Sequence, residues 1–144
     1  MFENSDRSGL EHRLEFRQHD FFHPQPITDA NVYFFRQVFH VFDDEQSVQI
    51  LKAMVPALEK GKPGTTLLIN DNIMPEPGTT SLFQEHTTRQ NDMLMMYGFG
   101  AKQRTQAEFA KLLRAADPRY EMVHVSNRGG MGLIEVHLNT VGSP

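Results

Sequence analysis

Apolar residues in this chain fall either into short continuous runs or into stretches with a regular period. RLEF at residues 13–16 predicts a short strand, and VYFF at 32–35 is typical of a strand buried on both faces. TTLLIN at 65–70 predicts another buried strand. YEMVHVS (120–126) and GLIEVHL (132–138) alternate apolar and polar positions around a glycine-rich segment, which predicts a terminal antiparallel hairpin.

Three helices are predicted between these strands. The first begins at Asp43 or Asp44, where acidic residues favour the positive end of the helix dipole, and it ends near Gly61. Its apolar stripe consists of Val48, Leu51, Val55 and Leu58. The second covers residues 81–97, with a polar middle. Thr105 caps the third, which Pro118 ends.

The order strand, strand, helix, strand, helix, helix, hairpin predicts an α/β fold. Its sheet is expected to be parallel, with an antiparallel pair at one end and helices on both faces. A length of 144 residues fits one domain.

Composition narrows the classes of function. The net charge of −4 is spread without blocks of like charge, which argues against nucleic acid or an anionic membrane as a partner. The absence of cysteine excludes disulfides, thiolate metal sites and a cysteine nucleophile, and it fits a reducing compartment such as the cytoplasm. The polar N-terminus lacks the apolar region of a signal peptide, and no apolar run is long enough to span a membrane.

Several kinds of site find no support in the motifs. The seven histidines lack the spacing of a zinc site, so no metal is expected. YGFGAK and NRGGMG do not lie between a buried strand and a helix, as a phosphate-binding turn does. No Gly-x-Ser-x-Gly elbow or Walker motif is present.

Four polar residues instead follow predicted strands. Asp20 follows the first strand, Arg36 leads out of the second, His40 lies just beyond it and Asp71 ends the third. Because carboxyl ends of parallel strands lie at one edge of a sheet, these side chains could surround one crevice. A half-buried histidine with a purely structural role is the alternative for His40, and Asp43, Asp44 and Glu45 are explained by the helix start.

Five segments of the chain resemble, in the same order, the C-terminal part of the caffeic-acid-type small-molecule O-methyltransferases of plants and fungi, especially the fungal branch. They are HDFFHPQP, VYFFRQVFHVFDDEQSVQIL, LLINDNIMPEPGTTS, AKQRTQAEFAKLLRAADPRY and LIEVHL. The resemblance implies a partial Rossmann-like methyltransferase sheet over residues 9–140, between an arm (1–8) and a tail (141–144). It also implies an enzyme that methylates a hydroxyl of a small aromatic or polyketide secondary metabolite, with S-adenosylmethionine as cofactor.

The resemblance also implies roles for individual residues. His40 matches the general base, Asp71 a carboxylate beside it, and Gln103 a position where the family usually has a second acid. Asp20 and Phe21 match residues that contact the adenosine, and Arg36 matches a basic residue that helps to hold the cofactor. Met93, Met96 and Tyr97 are expected to line the acceptor pocket, with core packing as the alternative. A phenol has a pKa of about 10 and an imidazole a pKa of about 6.5, so a positioned histidine can accept the phenol proton as the oxygen attacks the methyl group.

Three departures from the family pattern affect these expectations. Gln103 cannot stabilise an imidazolium by charge, and Val41 and Phe42 stand where Asp and Trp are common. The family's dimerising domain and its glycine-rich turn are not in these residues, so cofactor binding is expected to be weak or lost. Residues 32–35 then become an exposed sheet edge, open to a second copy or a complementing chain. An inactive remnant and a cofactor-independent catalyst or binding module of pericyclase type are the alternatives.

Overall fold

The computed structural model describes residues 12–76, 78–127 and 131–139; the expected arm (1–8) and tail (141–144) lie outside these ranges. The strands are β1 (Val32–Arg36), β2 (Thr66–Met74), β3 (Arg104–Thr105), β4 (Tyr120–Asn127) and β5 (Met131–Leu138). The helices are α1 (Asp44–Lys60), α2 (Leu82–Phe99) and α3 (Gln106–Ala116). One turn of 3-10 helix, Phe39–Val41, is called the His40 turn below.

The main sheet has the strand order β1-β2-β5-β4, and β3 pairs with the end of β2. β1 and β3 run parallel to β2, whereas β5 runs antiparallel to both β2 and β4. Four strands therefore point one way and β5 points the other, which confirms the predicted α/β class and the terminal hairpin. β1 is an edge strand, as the resemblance implied.

Capping residues explain where α1 and α3 begin. The Asp43 side chain accepts a hydrogen bond from the Gln46 N–H, and the Gln46 side chain accepts one from the Asp43 N–H. Thr105 and Glu108 form the same reciprocal arrangement at the start of α3. Each arrangement satisfies two N–H groups that the helix itself leaves unpaired. The predicted starts of both helices are confirmed.

The core lies on one face of the sheet, where α1 and α3 pack together. β2 buries every second residue, so Leu67, Ile69, Asp71 and Ile73 share this face. Opposite them on β5 lie Gly132, Ile134 and Val136. The second face carries apolar side chains that are more than one third exposed, namely Val32, Phe34 and Leu133. Among the described residues, α1 and α3 thus pack on the first face of the sheet.

Three sequence-based predictions about strands were wrong in detail. Residues 13–16 form no strand: the Leu14 and Phe16 side chains are 52% and 68% exposed, so little apolar burial favours a strand here. Residues 32–35 are buried on one face only, because β1 lies at the sheet edge. β2 does not end at Asp71 but continues to Met74, since β5 and β3 supply backbone partners beyond that point.

Helix α2 exists as predicted, yet its apolar side chains are not in the core. Leu82, Phe83 and Leu94 are all more than half exposed. Its element contacts are mainly with the His40 turn rather than with the sheet. No helix in the described part of the chain is long and apolar enough to cross a membrane.

Candidate active site

His40 and Asp71 form a hydrogen-bonded pair near the carboxyl end of β1. Nδ1 of His40 lies 2.8 Å from Oδ1 of Asp71. The Asp71 side chain is 1% exposed and that of His40 is 17% exposed. The pair is therefore shielded on the aspartate side, and the imidazole keeps limited access to solvent.

Asp71 is held by backbone donors as well as by His40. Its Oδ2 accepts from the Phe39 N–H at 2.9 Å, and its Oδ1 accepts from the Asn72 N–H at 2.9 Å. Three donors converge on one carboxylate, and an ionised carboxylate can only accept. The hydrogen of the His40–Asp71 bond consequently belongs to Nδ1 of the imidazole, and in the neutral ring this tautomer has its lone pair on Nε2. No described residue hydrogen-bonds to Nε2, so this atom is available to take a proton from a ligand.

Arg104 lies beneath the His40 turn and was not identified from the sequence. Its guanidinium donates to the carbonyl oxygens of Phe39 and Phe42 and to Oδ1 of Asp44. The Arg104 side chain is only 1% exposed. An arginine in KQRT carries no periodic signal of burial, so only the fold revealed this contact.

A small charged cluster continues from Asp44. Lys102 lies 3.4 Å from Asp44 Oδ2 and 2.9 Å from Glu108 Oε1. Partial burial opposes ionisation of Asp44, but the hydrogen bonds from Arg104 and the nearby positive charges prevail and lower its pKa. For Lys102 the hydrogen bond to Glu108 is the largest influence and raises its pKa. The first turns of α1 and α3 are thus joined by ionic contacts.

Gln103 is buried directly before Arg104. Its backbone N–H donates to Asp92 Oδ1 at 2.7 Å, which attaches it to α2. Its side-chain Oε1 is buried and has no hydrogen-bond partner among the described residues. An acceptor left in this condition costs about 1–3 kcal/mol unless a donor reaches it. The side chain is therefore poised to accept a hydrogen bond rather than to supply charge.

The three residues expected to contact the cofactor are accessible. Asp20 accepts from the Phe22 N–H and lies 3.2 Å from Nδ1 of His23. The rings of Phe21 and Phe42 meet edge to face, 5.6 Å apart, which links this loop to the end of the His40 turn. Arg36 is the exposed last residue of β1, where it pairs in register with Asn70 of β2, and within the described residues its guanidinium has no hydrogen bond or ion pair.

The residues expected at the acceptor pocket lie on α2. Met93, Met96 and Tyr97 are 65%, 64% and 92% exposed, so the alternative that they belong to the core is wrong. The structure brings α2 next to the His40 turn. Among residues 12–139 that are described, no three histidine or acidic side chains are grouped so as to hold a metal ion.

Comparison with known proteins identifies relatives over nearly the whole chain. The model of the O-methyltransferase domain family matches residues 3–117. O-methyltransferase sol2 of Alternaria solani is 53% identical over 132 residues, which are 92% of this chain and 31% of that protein. The mitomycin 7-O-methyltransferase MmcR has a TM-score of 0.75 at 28% identity, covering 91% of this chain and 36% of its own.

A pericyclic-reaction enzyme is also similar in structure, with a TM-score of 0.70 at 26% identity. The matched region is 84% of this chain and 29% of the chain of that enzyme. The curated relatives are mostly longer proteins: this chain spans 14% of the length of one and 36% of another.

Proposed function

This chain belongs to the O-methyltransferase domain family, and from that premise we propose that it serves methyl transfer to a hydroxyl group of a small aromatic or polyketide compound. Nε2 of His40 would take the proton of the acceptor hydroxyl, whose oxygen would receive the methyl group as the carbon–sulfur bond of the sulfonium donor breaks and the donor leaves as a neutral thioether. The cysteine-free composition suits a cytosolic setting for this chemistry.

The observation that carries this proposal is the bond between His40 and Asp71. Asp71 fixes the tautomer and the ring orientation of the imidazole, and its negative charge stabilises the imidazolium that proton transfer creates. Holding the proton acceptor in one orientation before the acceptor alcohol arrives reduces the reorganisation needed during reaction. Two backbone N–H groups hold the Asp71 carboxylate in turn, so the acceptor that orients the imidazole is itself fixed.

Asp20, Phe21 and Arg36 are the residues proposed to hold S-adenosylmethionine. That cofactor, when bound, supplies a methyl group activated by a sulfonium centre. The donor set suits it: Phe21 offers an apolar ring beside the adenosine, Asp20 a carboxylate for hydroxyl donors, and Arg36 an unpaired guanidinium for a carboxylate. Phe21 also contacts Phe42 at the end of the His40 turn, so the loop is placed near the base.

Gln103 is proposed to take part as a hydrogen-bond acceptor. Its buried Oε1, free of described partners, provides a polar atom without charge on the residue next to Arg104, whose side chain contacts the His40 turn. Met93, Met96 and Tyr97 are proposed to meet the acceptor molecule, because large apolar side chains on the surface of α2 suit a flat aromatic compound.

We infer that β1 also pairs with another chain. Its outer backbone groups lie at the sheet edge, and Val32 and Phe34 expose apolar side chains there. Such an edge is a template for strand addition. The partner is either a second copy of this chain or a chain that carries further parts of the methyltransferase sheet.

Isothermal titration calorimetry of the chain with S-adenosylmethionine tests the proposed function. We expect a measurable heat that Asp20→Asn reduces. Asp29→Asn is the matched control, since Asp29 is an exposed aspartate of the same loop. Absence of heat, both for the chain alone and with a chain that pairs with β1, would refute methyl transfer from this cofactor.

The similarity to a pericyclic-reaction enzyme favours a second candidate function, cofactor-independent catalysis on a polyketide-like ligand. Product formation from such a ligand is measured with and without S-adenosylmethionine, in the unsubstituted chain and in His40→Ala. If the unsubstituted chain forms product only when the cofactor is supplied, and His40→Ala abolishes that product, this second function is excluded.

A further inference from the structure

We propose that Arg104 is a positioning residue for His40, and that Asp44 holds Arg104 in place. The inference rests on the proposed role of His40 as a base. The side-chain hydrogen bonds of Arg104 go to Asp44 and to the carbonyl oxygens of Phe39 and Phe42, so it acts on the backbone that carries the imidazole.

The hydrogen bonds of Arg104 enclose the His40 turn. One terminal nitrogen donates to the Phe39 carbonyl oxygen, and the other donates to the Phe42 carbonyl oxygen at 2.9 Å. Phe39 and Phe42, which carry these carbonyls, are the residues on either side of His40 and Val41. Because a guanidinium is planar and its donors have a fixed geometry, the two bonds restrict rotation of the segment between them.

Arg104 also connects the turn to the strand that carries Asp71. Arg104 pairs with Ile73 on β2, two residues beyond Asp71. Both members of the His40–Asp71 pair are thus attached to β2. Asp71 is a residue of that strand, and His40 is connected to it through Arg104 and the backbone of β3. A shift of the turn relative to β2 would lengthen the 2.8 Å bond between Nδ1 and Asp71.

Asp44 completes the arrangement from the first turn of α1. Its Oδ1 accepts from Nε of Arg104 at 3.0 Å and from a terminal nitrogen at 2.7 Å. Arg104 is buried and Asp44 is more than half exposed. A buried guanidinium without its anion is costly, so the Asp44 charge keeps Arg104 oriented toward the two carbonyls.

The test measures the His40 proton directly in the full chain. Nitrogen-15-labelled histidine gives NMR signals for the imidazole nitrogens, and His40→Gln assigns those of His40. The measured quantities are the fraction of imidazole with hydrogen on Nδ1 and the rate at which this hydrogen exchanges with water. We expect one Nδ1–H tautomer in the unsubstituted chain, and exchange at least tenfold faster in Asp44→Asn.

Matched variants separate positioning from general stability. Glu45→Gln removes an equal charge from the same turn of α1 without a contact to Arg104, and we expect it to leave the His40 signals unchanged. Tyr120→Phe removes a buried hydrogen bond to the Leu51 carbonyl far from the turn, and we expect lower stability with unchanged His40 signals. Arg104→Lys retains the charge but loses the fork, so it should resemble Asp44→Asn; if it fails to fold, Asp44→Asn decides.

Unchanged tautomer and exchange in folded Asp44→Asn would overturn the proposal, as would the absence of a hydrogen on Nδ1 in the unsubstituted chain. The methyltransferase assay keeps this result distinct from the proposed function. If the His40 signals respond as expected while no methyl transfer occurs even in the unsubstituted chain, positioning stands and the proposed function fails. Where transfer is measured, Asp44→Asn should lower kcat and leave the KM for S-adenosylmethionine unchanged.

Discussion

Gly132 on β5 approaches Ile73 on β2 so closely that a Cβ atom on the glycine would lie 2.2 Å from Cδ1 of Ile73. Gly132 is also the register partner of Asp71. The Asn70 side chain donates to the Gly132 carbonyl at 2.8 Å, which fixes β5 at this point. The carboxylate beside His40 therefore depends on a position where only a hydrogen atom fits.

Gly132→Ala is expected to lower the free energy of unfolding by about 1–3 kcal/mol, because the methyl group must displace the buried Ile73 side chain. Denaturation with urea measures this change. Gly98→Ala is the control: outside the adjacent residues and the backbone of α2 itself, no atom lies within 4 Å of its Cβ position, so the higher helix propensity of alanine should leave stability equal or slightly increased. Equal stability of Gly132→Ala and the unsubstituted chain would contradict the close approach.

Asp71→Asn keeps the shape of the side chain but replaces one acceptor oxygen by a donor. Both oxygens of Asp71 accept N–H groups in the unsubstituted chain, so the NH2 group of the asparagine faces a donor in either orientation of the amide. We expect methyl transfer to fall by about 100- to 10,000-fold, the range for disruption of a general base. Stability should fall by about 1–3 kcal/mol for the buried donor left unpaired.

Glu135→Gln is the matched control for that variant. It removes the carboxylate from another histidine pair, in which His137 Nε2 lies 3.1 Å from Glu135 and both side chains are partly exposed. Its activity should stay within a factor of two or so of the original, as expected for a surface ion pair of little energetic weight. An equal loss of activity in both variants would contradict the special role of Asp71.

Gln103→Glu tests whether the uncharged amide at this buried position limits the rate of methyl transfer. A carboxylate at this position should raise the rate of methyl transfer, because it stabilises the imidazolium of His40 by charge. It should also lower stability, since Gln103 is 5% exposed and a buried charge is costly. Gln106→Glu places the same charge at an exposed position in the first turn of α3; it should leave the rate unchanged and, because an acid there favours the helix dipole, it should not lower stability.

Stability should decline in acid partly through Asp44. Its pKa is lowered in the folded chain, so its contribution is fully present above the unfolded value of about 3.9 and is lost as the pH falls through the folded value. Urea denaturation between pH 6 and pH 2, as an approximate span around that value, should show a weaker decline for Asp44→Asn than for the unsubstituted chain. A decline of identical slope in both proteins would show that Asp44 does not contribute.

Phe34→Lys should reduce self-association through the β1 edge. A lysine on an edge strand disfavours strand addition, and Phe34 is 55% exposed, so its replacement should cost the monomer little. Sedimentation velocity measures the association. Val123→Lys is the control on β4, the other edge of the sheet, where the residue is 50% exposed. Equal weakening by both variants would indicate association that is not specific to β1.

Local sequence signals determined most of the elements in this protein. The cap at Asp43, the cap at Thr105 and the alternation in the hairpin each act over a few residues, so they can be recognised without knowing the rest of the fold. The same holds for the expectation that His40 and Asp71 meet, because carboxyl ends of neighbouring parallel strands share one edge of the sheet.

The tertiary structure decided which of those signals were used. RLEF has the composition of a strand but forms none in the described part of the chain, and the apolar residues of α2 lie on the surface rather than in the core. The contacts of Arg104 with the His40 turn span more than 60 residues of sequence. Periodicity reports only whether a segment can present an apolar face. Which groups cover that face, or pair with a buried charge, depends on distant parts of the chain, and only the folded arrangement brings them together.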